Sequence, residues 1–111
     1  MNAKRIQILT DAKNDLDEGR KFYNKHGKNV GDYFWDSLLS DIESLVIFAG
    51  IHRKEYGFYR MLSKRFPYVI YYDVNGDVAS VIAVLPMRRN PLWIKSRISG
   101  GNQPGNENNQ K

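Results

Sequence analysis

A chain of 111 residues with 41% hydrophobic content can bury one core and is too short for two ordinary domains. It has no cysteine, so disulfides and thiolate metal sites are excluded, and a reducing cytoplasm is the expected setting. No apolar run approaches the roughly 18 residues of a membrane span and no charged-then-apolar leader opens the chain, so neither a span nor a secretory signal is expected. The net charge of +5 is unevenly spread: residues 1–48 hold seven Lys or Arg against eight Asp or Glu, while residues 49–98 hold nine against three. The positive field therefore belongs to the second half. It suits a polyanion or an acidic peptide as partner, with plain solubility as the competing reading.

In chain order, Arg5 to Leu9 reads as a short strand with Ile6 and Ile8 on one face. Thr10 or Asp11 supplies an N-cap for a helix reaching about His26 and closed at Gly27, with Ala12, Leu16, Phe22 and Tyr23 at helical spacing. Gly19 thins the same face for close packing. Asp15, Asp17 and Glu18 read as an ordinary solvated face with no metal-ligand company, so no metal and no cofactor are expected. A second helix over about Asn29 to Phe48 carries Val30, Phe34, Leu38, Ile42 and Leu45 in register. The short link at Gly27-Lys28 makes the pair an antiparallel αα-hairpin that needs a sheet to cover.

Phe58 to Lys64, Phe66 to Val74 and Val78 to Leu85 read as a β-meander, with Asn75-Gly76 as a two-residue type I′ turn. That turn sets Tyr72 against Ala79 and Ile70 against Val81. Phe66, Tyr68, Ile70, Tyr72 and Val74 with Ala79, Val81, Ala83 and Leu85 then face the helices, and Tyr68 and Tyr72 belong to the core. The other side is more mixed and is expected to stand half open. Pro86 stops the last strand at Leu85. Beyond Pro91, Leu92 to Ile98 forms a turn or two of helix with Trp93 docked on the core. The fold class is α+β, βααβββ, with the αα-hairpin on one face of a twisted antiparallel sheet. A single domain spans 1–98, and residues 99–111, with nothing apolar to bury, form a disordered tail.

The chemistry is sought on the half-open side. Alternation along the strand sends Arg60 and Lys64 to one face. Together with Arg65, Tyr71, Arg88 and Arg89 they would make a shallow cationic cleft, since guanidinium groups grip phosphates and aromatic rings stack on unpaired bases. Tyr71 is equally readable as cross-strand packing, and Arg88-Arg89 as a cap on the sheet that balances Asp73 or Asp77. His26 reads as a helix-end residue with a surface role, and His52 as a loop residue beside Arg53 and Lys54.

The run Phe66-Pro67-Tyr68-Val69-Ile70-Tyr71-Tyr72, the strand end Val81-Ile82-Ala83-Val84-Leu85 and Arg88-Arg89-Asn90-Pro91, preceded by helices bearing Ala12, Leu16 and Phe22-Tyr23, resembles the RelE/ParE superfamily of bacterial type II toxin-antitoxin systems. The resemblance spans about residues 3 to 98. It implies a small cytoplasmic growth-inhibiting toxin of the plasmid-stabilisation kind, neutralised by a cognate antitoxin, with no membrane partner. RelE-like members cut mRNA on the ribosome with basic residues and a proton-transfer group. Arg60 and Arg88 match catalytic basic positions of that pattern, but Leu62 and Val69 stand where RelE proper has lysine and arginine, and no tyrosine or histidine follows Trp93. ParE-like members poison DNA gyrase without that set. The strand end followed by Arg88-Arg89-Asn90-Pro91 and a tryptophan resembles this branch more closely, although many such members have histidine where Pro86 stands. The expected function is that of a ParE-like toxin; the alternatives are a ribosome-dependent endoribonuclease and an inactive antitoxin-binding remnant.

Overall fold

Val, Ile and Tyr residues on either side of a glycine-bearing turn build the centre of the structure, a sheet whose middle strands are β4 (Tyr68–Asn75) and β5 (Val78–Pro86). The computed structural model describes residues 3–100. Around that pair lie β1 (Arg5–Ile8), β2 (Lys54–Glu55) and β3 (Phe58–Leu62), in the spatial order β1-β5-β4-β3-β2. The helices are α1 (Thr10–Asn24), α2 (Val30–Glu43), α3 (Leu45–Phe48) and α4 (Pro91–Gly100). The α+β class and the helix hairpin on one face are as expected, but the sheet is mixed and not purely antiparallel. The first strand joins β5 in parallel, Arg5 opposite Val78 and Ile8 opposite Val81. A fifth strand is added by the turn at Tyr56 and Gly57, both with positive φ (57° and 87°), which folds Lys54-Glu55 onto Phe58-Tyr59.

The β4–β5 register differs from the sequence expectation twice. Its loop is Gly76-Asp77 and not Asn75-Gly76: Asn75 pairs Val78 and Val74 pairs Ala79, with a left-handed φ of 62° at Gly76. Positive φ at the first loop position but not the second is the sign pattern of a type II′ turn, which needs glycine there. This moves each partner by two residues, so the faces survive. Farther along, Tyr72 pairs Val81 but Tyr71 pairs Ala83, leaving Ile82 as the extra residue of a bulge. A shift of one residue exchanges faces. Val84 therefore joins Ile70 and Tyr72 under the helices, while Ala83 and Leu85, expected there, join Val69 and Tyr71 on the opposite side. The strand continues one residue past Leu85, to Pro86 opposite Tyr68.

The first core layer holds Leu16, Phe34, Leu38, Ile42, Ile70, Tyr72, Val81 and Val84 between the helix hairpin and the sheet. Tyr68 and Tyr72 are buried in it, as expected. Thr10 is the first residue of α1 and makes no cap; Leu9 takes the N-cap position with extended backbone. The start of α2 is capped from α1, where Asn24 Oδ1 accepts the Gly31 N–H at 3.0 Å. The second helix stops at Glu43. Ser44 interrupts it by donating its hydroxyl to the Asp41 carbonyl at 2.6 Å, and α3 continues as a separate turn. Such back-bonding offers the chain an alternative to the helical ladder.

The opposite face is not half open. Ile94 and Ile98 of α4 lie on Val69, Tyr71, Ile82, Ala83 and Leu85, with Leu9 and Phe58 at the margin. Trp93 does not dock on this core and stays 37% exposed. The helix runs to Gly100, so Ser99 and Gly100, assigned to the tail from sequence, are helical, and residues 101–111 lie outside the described residues.

At Gly19 an added Cβ would stand 2.4 Å from Cζ of Phe34, which is fully buried. Helix propensity favours alanine over glycine by about 1 kcal/mol, but overpacking costs about 1–3 kcal/mol, and Phe34 is hemmed in by Tyr23, Phe66 and Tyr68 rings centred 4.9–5.1 Å away. Gly19→Ala is expected to lower the urea midpoint, and a raised midpoint would show that the ring has room to move.

Candidate functional site

The six residues proposed from sequence separate into two groups. Arg60 sits opposite Tyr71 on adjacent strands, so these two do share a face as expected. They do not form an open cleft. Tyr71 is 1% exposed and donates its hydroxyl to Glu55 Oε1 at 3.0 Å, which rules it out as a stacking platform. Arg60 Nε lies 3.1 Å from the same Glu55 oxygen as an ion pair, though it is buried and has no aligned hydrogen-bond partner. The hairpin that adds β2 is what brings Glu55 here, and sequence reading missed it because two residues carry no periodic signal. Burial, reinforced by the Glu55 carboxylate, pushes the Tyr71 phenol up to about 12, so it stays protonated near neutral pH.

The other four residues gather at one end of the sheet. Pairing of Tyr68 with Pro86 puts the β3–β4 turn and the end of β5 at the same end. Lys64 and Arg65 occupy that turn, outside β3, and both are exposed. The turn is tied down by buried Asp41 of α2, whose Oδ2 accepts from the Ser63 hydroxyl at 2.7 Å and the Lys64 N–H at 3.2 Å. Arg88 and Arg89 follow β5, and the Arg89 guanidinium stacks over the Trp93 ring at 4.2 Å. A stacked guanidinium keeps its donors in its own plane and free for a partner. Neither Arg88 nor Arg89 pairs with Asp73 or Asp77, which lie toward the other end of the β4–β5 ribbon.

These arginines border a groove of about 760 Å³ between α1, the end of the β4–β5 ribbon and the start of α4. Asp11 and Glu18 stand on the α1 side, Arg88 and Arg89 on the other, and Phe22, Tyr23, Tyr68 and Trp93 supply aromatic surface. Phe22 is 49% exposed. Concave aromatic surface with a few oriented charges is the usual build of a binding site. Asp15 and Arg97 also line it, joined by two hydrogen bonds of 2.7 and 2.8 Å. Asp15, read from sequence as a solvated acid, is only 7% exposed. Burial raises its carboxyl against the pull of Arg97 and of the Val84 N–H.

Both histidines are engaged with other groups, and the His26 ring packs on Phe22 of the groove wall with centroids 4.8 Å apart. His26 Nδ1 contacts the Phe22 carbonyl at 3.1 Å at the end of α1. His52 Nδ1 lies against the Tyr72 hydroxyl at 2.5 Å, and that hydroxyl also accepts the Gly50 N–H at 2.9 Å. Burial lowers the His52 pKa. Among the described residues no group of three metal-ligating side chains comes together, and no helix is long and apolar enough to cross a membrane.

Residues 6–91 match the family described as the ParE toxin of type II toxin-antitoxin system, parDE. No curated protein matches the chain. A chain of the chromosomal ParDE TA system from P. aeruginosa has the same fold at a TM-score of 0.68, with 15% identity over 79% of this chain and 98% of that one.

Two outcomes follow from these contacts. Arg60→Ala strips Glu55 of its counter-charge and is expected to cost about 1–2 kcal/mol, read as a lower urea midpoint; an unchanged midpoint would mean the arginine is free for a ligand. For His52, a folded pKa below the ordinary 6.5 means the unfolded chain takes up the proton first as pH falls. Its contribution is complete above that value and is lost as pH drops through the folded pKa. His52→Gln should flatten the stability decline below about pH 6.5, and an identical pH profile for the two proteins would refute this assignment.

Proposed function

This chain belongs to the ParE toxin family of type II toxin-antitoxin systems, and on that premise we propose that it arrests growth by binding DNA gyrase, through Arg88 and Arg89 with Lys64 and Arg65 beside them. As the toxin of such a system it has a cognate antitoxin as partner. The observation that carries the gyrase reading is the division of the cations. Arg60 is spent on Glu55 beside Tyr71, whereas Arg88, Arg89, Lys64 and Arg65 make no ion pair with another described residue.

Cleavage of RNA asks for a group that takes the 2′-hydroxyl proton and another that protonates the leaving oxygen. Tyr71 is buried with a phenol held near 12, and each histidine ring already has a partner for its Nδ1, the Phe22 carbonyl for His26 and the Tyr72 hydroxyl for His52. Binding asks for less. An arginine held against a tryptophan, Arg89 on Trp93, at the rim of an aromatic groove provides the kind of anchor that dominates protein interfaces, where Arg and Trp are enriched among the residues that carry affinity. The role assigned to the basic edge is therefore recognition of a macromolecular partner, with no bond made or broken.

Arg88→Ala/Arg89→Ala is expected to weaken inhibition of gyrase supercoiling by the purified chain about thirtyfold or more, the loss of two interface arginines at about 1 kcal/mol or more apiece. Its urea midpoint should stay near that of the parent, since both side chains are exposed. In cells, induction should give DNA double-strand breaks and an SOS response. Codon-spaced mRNA 5′ ends without breaks would overturn the gyrase reading.

A further inference from the structure

The chain's most committed polar group outside the basic edge is the Asp15 carboxylate. Its Oδ1 accepts from Arg97 Nη1 at 2.7 Å, and its Oδ2 accepts from Arg97 Nη2 at 2.8 Å and from the Val84 N–H at 2.9 Å. Arg97 Nη2 also donates to the Asp11 carbonyl at 3.3 Å. The reason lies in the sheet. The first strand pairs with β5 only as far as Val81, so beyond the bulge β5 has an open edge, and a buried N–H there needs an acceptor. The first helix crosses that edge, and Asp15 supplies the acceptor. One carboxylate thus joins α1, β5 and α4.

The other fastening of α4 to the sheet is apolar, through Ile94 and Ile98. Apolar burial is non-directional and leaves a short helix free to slide or turn on the surface beneath it, whereas a bidentate guanidinium–carboxylate pair has a set geometry. Arg88 and Arg89 lie on the link between β5 and α4, and Trp93 is on the first turns of α4. The attitude of α4 therefore decides how these three side chains project over the groove.

We propose that Asp15 and Arg97 are positioning residues for target binding: the pair locks α4 in place and so presents Arg88, Arg89 and Trp93 as one preformed surface. This rests on the gyrase reading above. Asp15 reaches the groove with only 7% of its surface, and both its oxygens are taken up by Arg97 and the Val84 N–H, so its effect on affinity runs through α4. Preorganisation of this kind raises affinity by removing the ordering cost from the binding step.

Because the chain has no cysteine, Asp15→Cys/Arg97→Cys carries only the two thiols of interest. Without a cross-link, the full-length variant is expected to inhibit gyrase supercoiling about tenfold more weakly than the parent while keeping its far-UV circular dichroism; joining the thiols with a short bis-maleimide should restore potency to within about threefold. Full potency without the cross-link, or no recovery with it, overturns the proposal. Should the double variant fail to fold, Arg97→Lys, which keeps the charge and loses the fork, is expected to speed amide exchange across residues 91–100 and to weaken inhibition, and parent-like exchange would be equally fatal. A parent chain that leaves gyrase untouched refutes the target, and the exchange measurement alone then decides whether Asp15 and Arg97 hold α4.

Discussion

The β4–β5 ribbon carries apolar side chains on both of its faces, and a ribbon of that composition is stable only when both are covered. The helix hairpin covers one with Phe34, Leu38 and Ile42, and α4 covers the other with Ile94 and Ile98. The bulge at Ile82 sets how the load is shared. Past it, Val84 turns toward the hairpin and Leu85 toward α4, so the end of β5 that leads to Arg88 is sandwiched instead of exposed. The link that carries Arg88 and Arg89 leaves the sheet from that sandwich.

Charge is distributed on the same plan. Where a cation meets the covered parts of the sheet it is paired: Arg97 with Asp15 and Arg60 with Glu55. Where the sheet ends, Lys64, Arg65, Arg88 and Arg89 stand in solvent, on a turn anchored by Asp41 and a link leading into α4. An arginine inside a partly buried network must keep its counter-ion, because an unpaired charge there costs about 1–2 kcal/mol; one at the rim has no such obligation. The rim arginines, Arg88 and Arg89, carry no ion pair with another described residue.

Much of the fold was legible in the residues themselves. Helical spacing from Ala12 to Tyr23 and from Val30 to Leu45 located the hairpin, close packing at Gly19 was foreseen though not its partner Phe34, and the aromatic runs located the three long strands. The bulge was not legible, because Val81-Ile82-Ala83-Val84-Leu85 is apolar at every position and alternation cannot say which residue is skipped. Nor was the cover on the second face. Leu92 to Ile98 offers Leu92, Trp93, Ile94 and Ile98 as apolar candidates, and without the sheet beneath them Trp93 looked a better anchor than the Ile94–Ile98 pair. Of the candidate site, Arg88 and Arg89 were recognisable as adjacent arginines after a strand. Glu55, Asp15 and Arg97 were not, since each gains its role from a partner 16 to 82 residues away.

Local patterning thus determined what kinds of elements this protein has, that its helices pair, that its second half is basic and which family it resembles. The three-dimensional arrangement alone decided the mixed sheet, the face exchange at Ile82, the sealing of the second face and which basic residues remain free. The physical reason is that periodicity reports the surroundings of neighbouring residues, whereas the worth of a charge depends on what the rest of the chain brings to it: Arg60 and Arg88 are the same side chain, and only Glu55 and Tyr71 make the first of them structural.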